Sequence, residues 1–416
     1  FFSRFPDGIL PEKNRRKRML VARSRGQGTT LAKAGFSMAP HGSPAQFNSN
    51  QNIGRLFTKI ARIFNALHAW RLMKIRTIQV NKNDADKRID KFLTKVLNNM
   101  PQSLMYKYLR TKKIKLNGKK AAPDTKLCEN DVITLYISDE FFFDAKDEAD
   151  KYKYLRYTSN TLNQNEIVYE DDNIILVDKP QGEIVHSSLP EDLEYSSVQS
   201  TLKEPCLIDR ICGYLYKKGE YDPLSQNSFS PALCNRLDRN TCGIVIAAKN
   251  AKSLAILNQK IKDRELNKKY LCVVYGKPDK ESDTLTDYLY KNKAENRVYV
   301  FPSVQKAKSQ MKIKYDDDIK RIITKYKVVK SFRDTSLLEV ELITGRTHQI
   351  RAHLAYIGHP IVGDGKYGVN HKSKTGKQYQ MLCSYYLKFC FKTDAGILEY
   401  LNSKEFFSHF NMESTK

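Results

Sequence analysis

The stretch "NRLDRNTCG", residues 235–243, sets one carboxylate, Asp238, between Arg236 and Arg239. An acid in that setting is either a turn residue in a plain ion pair or a carboxylate held ionised in a site that receives phosphate. For an aspartate taken alone, the turn is the commoner role. Three features favour the site. Two arginines flank the acid where one would balance it. Thr241 and Gly243 suit a tight, hydrogen-bonded turn that fixes side-chain direction. The third feature is a distant cation in "ELITGRTHQIRAHLAYIGHPIVGDGKYG", residues 341–368. A strand there ends near Thr344 and Gly345, and the pattern predicts a helix from about Arg346 to Ile357. Ile350, Leu354 and Ile357 form its apolar stripe, and Gly358 with Pro360 ends it. Arg346 would oppose the helix dipole in the first turn, which implies other work for it. Arg351 shares a flank with Thr347 and could reach a carboxylate on a neighbouring loop, as a structural salt bridge or as a partner that keeps the acid ionised. Cys242 has no basic partner in view, so a small buried thiol is the simpler reading. His348 and His353 are five apart, not the i, i+4 spacing of zinc helices, and no metal site is expected.

These residues need elements to position them. The chain has 416 residues, enough for two or three domains, and 41% of them are hydrophobic, enough for a packed core. Lys and Arg total 71 against 46 Asp and Glu, and that surplus points to a polyanionic partner. The eight cysteines show no CxxC pair and read as reduced thiols, which fits a cytoplasmic protein. No apolar run is long enough to span a bilayer, so no membrane association is expected.

From about residue 166 to 411 the chain is rich in short strands ("NIILVDKP", "GIVIAAK", "YLCVVYG", "SLLEVELIT"), with helices expected at 250–263 and 346–357. That mixture predicts an α+β domain around an antiparallel or mixed sheet. Residues 139–165 are acidic and aromatic and read as a linker. Residues 73–138 form a small α/β unit: a strand in "IRTIQV", a helix in "KRIDKFLTKVL", then a short helix and two strands with a turn at "NGK". Arg88, Lys107, Arg110, Lys112, Lys113 and Lys119 bracket a helix and the turn of this unit, which favours phosphate contact over a merely solvated face. Residues 1–72 are basic, poor in acids and weakly periodic, as in a disordered arm or a transit peptide. The better fit is a stretch outside the folded protein, because Met73 opens a natural start and the Lys, Asn, Ile and Tyr usage beyond it looks bacterial.

The small unit resembles the alpha-L RNA-binding domain through "RIDKFL", "YLRTKKIKLNGK" and "ENDVITLYI". The larger one resembles the RluA-type pseudouridine synthases, which isomerise uridine in ribosomal or transfer RNA. Four ordered motifs carry that resemblance: "ILVDKPQGEIVH", "NRLDRNTCG", "NKKYLCVVYGKP" and "LITGRTHQIRAHLAYIGHPIVGDGKYG". It implies that Asp238 is the catalytic aspartate and Arg351 its pairing arginine. It implies that Tyr270 packs on the target base and is a candidate base in the sugar chemistry, and that Arg236 enters the space vacated in the RNA stem. Arg239, Arg346 and Lys179 join the expected RNA contacts. Two residues depart from the family pattern: Asn235 replaces a histidine and Cys242 a serine.

The implied reaction breaks an N-glycosidic bond and rejoins base and sugar through carbon, which needs a carboxylate and a proton carrier but no metal and no organic cofactor. Uridine in a stem must first be flipped out. Large-subunit ribosomal RNA is the expected substrate of a monomeric enzyme, with transfer RNA as the alternative. A catalytically inactive RNA-binding or assembly factor would be expected to lack Asp238, Tyr270 or Arg351, and a hydrolytic glycosidase would need a second carboxylate.

Overall fold

The computed structural model describes residues 75–97, 99–138, 141, 160–186, 205–313, 318–368 and 379–410. The expectations for residues 1–72 and for most of the 139–165 linker lie outside these.

The first unit contains β1 (Ile75–Gln79), α1 (Ile89–Val96), α2 (Gln102–Arg110), β2 (Ile114–Leu116) and β3 (Val132–Tyr136). Helix α1 forms where Ile89, Phe92 and Leu93 repeat at helical spacing, and all three are fully buried. They pack with Met105 and Leu109 of α2 and with Ile133 and Leu135 of β3. The three strands run antiparallel in the order β1-β3-β2. Asn117 and Gly118 both take left-handed backbone angles, so the chain reverses tightly and Leu116 and Lys119 exchange backbone hydrogen bonds of 2.9 Å. The strand that pairs with β2 does not follow this turn directly. It arrives only at Val132, whose backbone amide donates to the Asn117 side chain at 2.8 Å.

The loop before α1 lies against residues 226–228 through polar contacts. Asp84 is fully buried and accepts from Lys87 Nζ at 3.1 Å, from Asn227 Nδ2 at 3.1 Å and from Ser228 Oγ. Asn83 accepts from the Ala251 backbone amide at 3.2 Å.

The second unit is built on an eleven-stranded sheet. Its strands are β4 (Ile167–Glu170), β5 (Ile174–Lys179), β6 (Ala232–Leu233), β7 (Cys242–Ala248), β8 (Leu266–Tyr275), β9 (Ser282–Asn292) and β10 (Arg297–Phe301). They continue with β11 (Ile319–Ser331), β12 (Thr335–Leu342), β13 (Leu382–Phe389) and β14 (Glu405–Phe407). The order is β10-β9-β11-β12-β8-β13-β7-β5-β4, with β14 beside β13 and β6 beside β7. Helices α3 (Leu207–Lys217), α4 (Ala251–Lys262), α5 (Val304–Met311) and α6 (Gln349–Tyr356) complete it. This is the mixed-sheet α+β fold expected from the sequence. Among the described residues, no helix is long and apolar enough to cross a membrane.

Strand β7 is buried along its whole length because both faces are covered. Val245 and Ala247 join a core with Leu207, Ile211 and Leu215 of α3 and Leu354 of α6. Ile244, Ile246 and Ala248 join another with Leu257 of α4, Phe389 and Leu401. Among the described residues the one parallel pairing is β7 with β13, through Cys242 opposite Cys383 and Gly243 opposite Ser384. Gly243 has φ +106°, and a Cβ there would lie 2.3 Å from the Ser384 carbonyl oxygen. Glycine alone allows this approach, which joins the β4–β7 side of the sheet to the rest.

Candidate active site

Asp238 lies in the short loop from β6 to β7, with its side chain 29% exposed. Several contacts hold that loop. Leu237 is buried in the core, and Asn235 accepts from the Ile246 amide at 2.8 Å. The amide of Asn235 thus clamps the loop to β7. The Thr241 backbone amide donates to Asp238 O at 3.0 Å, closing the turn expected from the sequence. The Thr241 hydroxyl accepts from Gln380 Nε2 at 2.8 Å.

Lys179 and Arg239 act from the other side, and Lys179 differs from the expected RNA contact. Lys179 is fully buried, and its ammonium donates to the carbonyls of Pro180, Glu183 and Arg239 at 2.8–2.9 Å. All three protons are engaged and no surface remains for RNA, so Lys179 is a loop organiser. Burial pulls its pKa down to about 8, against the attraction of Glu183 and Asp238. Arg239 donates from Nε to Gly182 O at 2.9 Å, and Gly182 N returns a bond to Arg239 O at 3.0 Å. Its Nε and carbonyl therefore tie two loops together, although the residue remains exposed.

Arg351, from α6, meets the acid. Its Nη1 donates to Asp238 Oδ2 at 2.9 Å, while Nε and Nη2 donate to the two oxygens of Asp364 at 2.7 and 3.0 Å. Burial opposes the charge of Arg351, but the bonds to Asp364 and Asp238 more than offset it and hold the guanidinium above its ordinary pKa. Asp364 is buried too. Its carboxyl is nonetheless held below the usual range by Arg351 and by the amides of Lys366 and Tyr367, at 2.9 and 3.1 Å. Asp364 was not singled out in the sequence, because an aspartate between two glycines reads as a turn.

Helix α6 starts later than expected. His348 takes a left-handed conformation with φ 53°, so the helix opens at Gln349. Arg346 therefore lies in the preceding exposed loop, not in a helical first turn, and its backbone amide donates to Gln349 Oε1 at 3.1 Å. The dipole argument for Arg346 falls away, and its side chain faces solvent. His348 instead enters the site, with Nε2 3.7 Å from Asp238 Oδ2 and Nδ1 2.9 Å from the Tyr367 hydroxyl. Burial, opposed by Asp238, moves its pKa down to about 4, so the ring is neutral at physiological pH.

Tyr270 projects from β8 into the same core, 8% exposed, with a hydrogen bond to Ser384 and Asp238 near enough to repel its phenolate. Burial pushes its pKa up to about 12, so the phenol is protonated. Cys242 is buried against Cys383 and its pKa is pushed up, first by that contact and then by burial, so it is no nucleophile. A cleft of about 560 Å³ opens beside Arg351, lined also by Asn240, Glu295, Arg297, Gly365, Lys366 and Gln380. Arg236 is exposed on the Asp238 loop.

In the small unit, Lys107, Arg110, Lys112 and Lys119 are exposed, and Lys113 lies over the Tyr108 ring at 4.8 Å. Arg88 is exposed as well and forms a two-pronged pair with Asp90 at 2.7 and 3.1 Å, so its charge is shared with the start of α1.

Residues 173–356 match the family model described as RNA pseudouridylate synthase. Over 326 residues the chain is 32% identical to an uncharacterised RNA pseudouridine synthase of Mycoplasma capricolum, covering 78% of this chain and 94% of that one. The chain belongs to the RluA-type RNA pseudouridine synthase family. Among further relatives, the ribosomal large subunit pseudouridine synthase C of Buchnera aphidicola is 29% identical, over 74% of this chain and 86% of its own. That of Vibrio cholerae is 26% identical, over 71% and 81%. The span matched by the family model contains Asp238, Tyr270, His348 and Arg351 and stops before Asp364. The synthase therefore completes its acid–guanidinium–acid arrangement with a residue from beyond that span.

Proposed function

We propose that the synthase converts specific uridines of large-subunit ribosomal RNA to pseudouridine, with Asp238 as the essential acid acting on a flipped-out nucleotide. The observation that carries this reading is the 2.9 Å contact from Arg351 to Asp238 beside an open, cation-lined cleft. Arg351 fixes the carboxylate and places a permanent positive charge next to it, as a nucleophile or charge-stabilising group requires. Tyr270, protonated at rest, serves as a packing surface for the extruded base and not as the resting base. Arg236, exposed on the same loop, enters the vacated stem in this reading. The exposed cations of the small unit hold the surrounding RNA through its phosphates. The names of the Buchnera and Vibrio relatives support the ribosomal substrate, and with it a bacterial cytoplasmic location.

The test is a comparison of pseudouridine maps of total RNA from a deletion strain, its parent, and the deletion strain carrying Asp238→Asn. One or more large-subunit sites should vanish on deletion and stay absent with the variant. Loss confined to transfer RNA would reassign the substrate. Restoration by Asp238→Asn would refute the role of the acid.

A further inference from the structure

Arg351 and His348 approach the same oxygen of Asp238. Arg351 Nη1 is 2.9 Å from Oδ2, and His348 Nε2 is 3.7 Å from it, just beyond hydrogen-bond distance. The imidazole is held from behind. Tyr367 accepts the Val298 backbone amide at 3.1 Å, and its own proton has His348 Nδ1 within reach at 2.9 Å. We assign the ring proton to Nε2 on that basis, because a Tyr367 hydroxyl that donates to Nδ1 leaves the other nitrogen protonated. The Tyr367 ring also has two guanidinium groups within cation–π range, Arg297 at 5.3 Å and Arg351 at 5.2 Å from its centroid. His348 also keeps a left-handed backbone, a conformation uncommon for a residue other than glycine. Without it the ring would not leave the start of α6 at this angle.

We propose that His348 is a positioning residue for Asp238: its Nε2–H and Arg351 together hold Oδ2, so that Oδ1 is the oxygen presented to the sugar. The inference rests on the reading of Asp238 as the reacting acid. The 3.7 Å separation closes when bound RNA displaces water from the cleft, as catalytic contacts that are long in the free enzyme do. The charged and titratable groups facing the imidazole are Asp238, Arg351, Lys366, Asp364 and Tyr367. Burial, the largest influence, keeps the ring neutral, so it acts as a fixed donor and not as a proton carrier.

Single-turnover rates and RNA affinity for His348→Ala, His348→Gln and the parent test this. Glutamine restores an N–H donor at about the reach of Nε2 without an ionisable ring. His348→Ala should slow the chemical step about 10- to 100-fold, the scale of a misplaced reacting group, with RNA affinity changed less than about twofold. His348→Gln should recover most of that loss, and the parent should show no rate limb near pH 6.5, the ordinary histidine value. The proposal is overturned if His348→Ala keeps its single-turnover rate, if its loss is one of RNA affinity, or if glutamine rescues nothing. It is equally overturned by a limb near pH 6.5 that disappears in His348→Gln, which would make His348 a titrating proton carrier. An active Asp238→Asn variant would instead remove the reading on which the inference stands.

Discussion

Arg351 stands between two carboxylates, Asp238 on the open side and Asp364 on the buried one, with its own side chain 10% exposed. Removing one member of such a buried pair typically costs about 3–5 kcal/mol, because the remaining charge loses its compensation. Asp364 therefore carries a pH signature. Its folded pKa lies below that of the unfolded chain, so its contribution to stability is complete above the ordinary carboxylate range and is lost as pH falls through the folded value. Urea midpoints measured from pH 7 down to pH 3 should fall for the parent mainly below about pH 4. Asp364→Asn should be less stable at pH 7 and flatter across that window; an equally steep acid limb in the variant would contradict the assignment. At this scale the sequence revealed the proposed acid and its arginine and hid the groups that hold them. Asp238 and Arg351 stand out by type and spacing. Asp364, His348 and Lys179 depend on which way buried groups point, and a positive charge such as Lys179 reads as surface until its three carbonyl partners are seen.

Among the elements, β7 and its short parallel junction with β13 decide where the Asp238 loop sits. Gly243 is the narrow point of that junction. Gly243→Ala would place a methyl 2.3 Å from the Ser384 carbonyl oxygen at a φ that L-residues seldom adopt. A loss of about 2–4 kcal/mol is expected, overpacking and backbone strain together. Gly345→Ala is the control, since a Cβ there meets nothing within 4 Å, and its effect should stay within about 0.5 kcal/mol. Equal stability of the two variants, by chemical denaturation, would show that β7 and β13 can part without cost. Strands β5 and β7 were legible as apolar runs, and α4 (Ala251–Lys262) falls within the expected 250–263. The start of α6 was not, because a single left-handed residue at His348 shifts it by three positions. Nor was the partner of β2, since the turn at Asn117–Gly118 names a reversal but not which strand follows it.

For the molecule as a whole, the net charge of +25 is a statement about a polyanion, and the fold distributes that charge unevenly. One of the cations expected to touch RNA, Lys179, is engaged internally by carbonyls, and Arg88 at the surface is paired with Asp90. The exposed set Lys107, Arg110, Lys112 and Lys119 remains on the small unit, which the Asp84–Ser228 contacts hold against the loop preceding β6. Neutralising those four together should weaken RNA binding irrespective of target sequence and reduce the magnitude of the log–log salt slope by up to about 3, given the release of roughly 0.7–0.9 counterions per phosphate contact. Binding measured across a salt series decides this, and an unchanged slope would take the small unit off the RNA. Charge excess and the family motifs made the nucleic-acid partner legible from composition and sequence. Which cations face outward required the fold.

Isomerisation by Asp238, held by Arg351, is reported directly by release of the hydrogen on carbon 5 of uridine. With purified synthase and a large-subunit RNA fragment, Asp238→Asn should bind within a few-fold of the parent and release no hydrogen above background. Release at a rate near that of the parent would contradict the account.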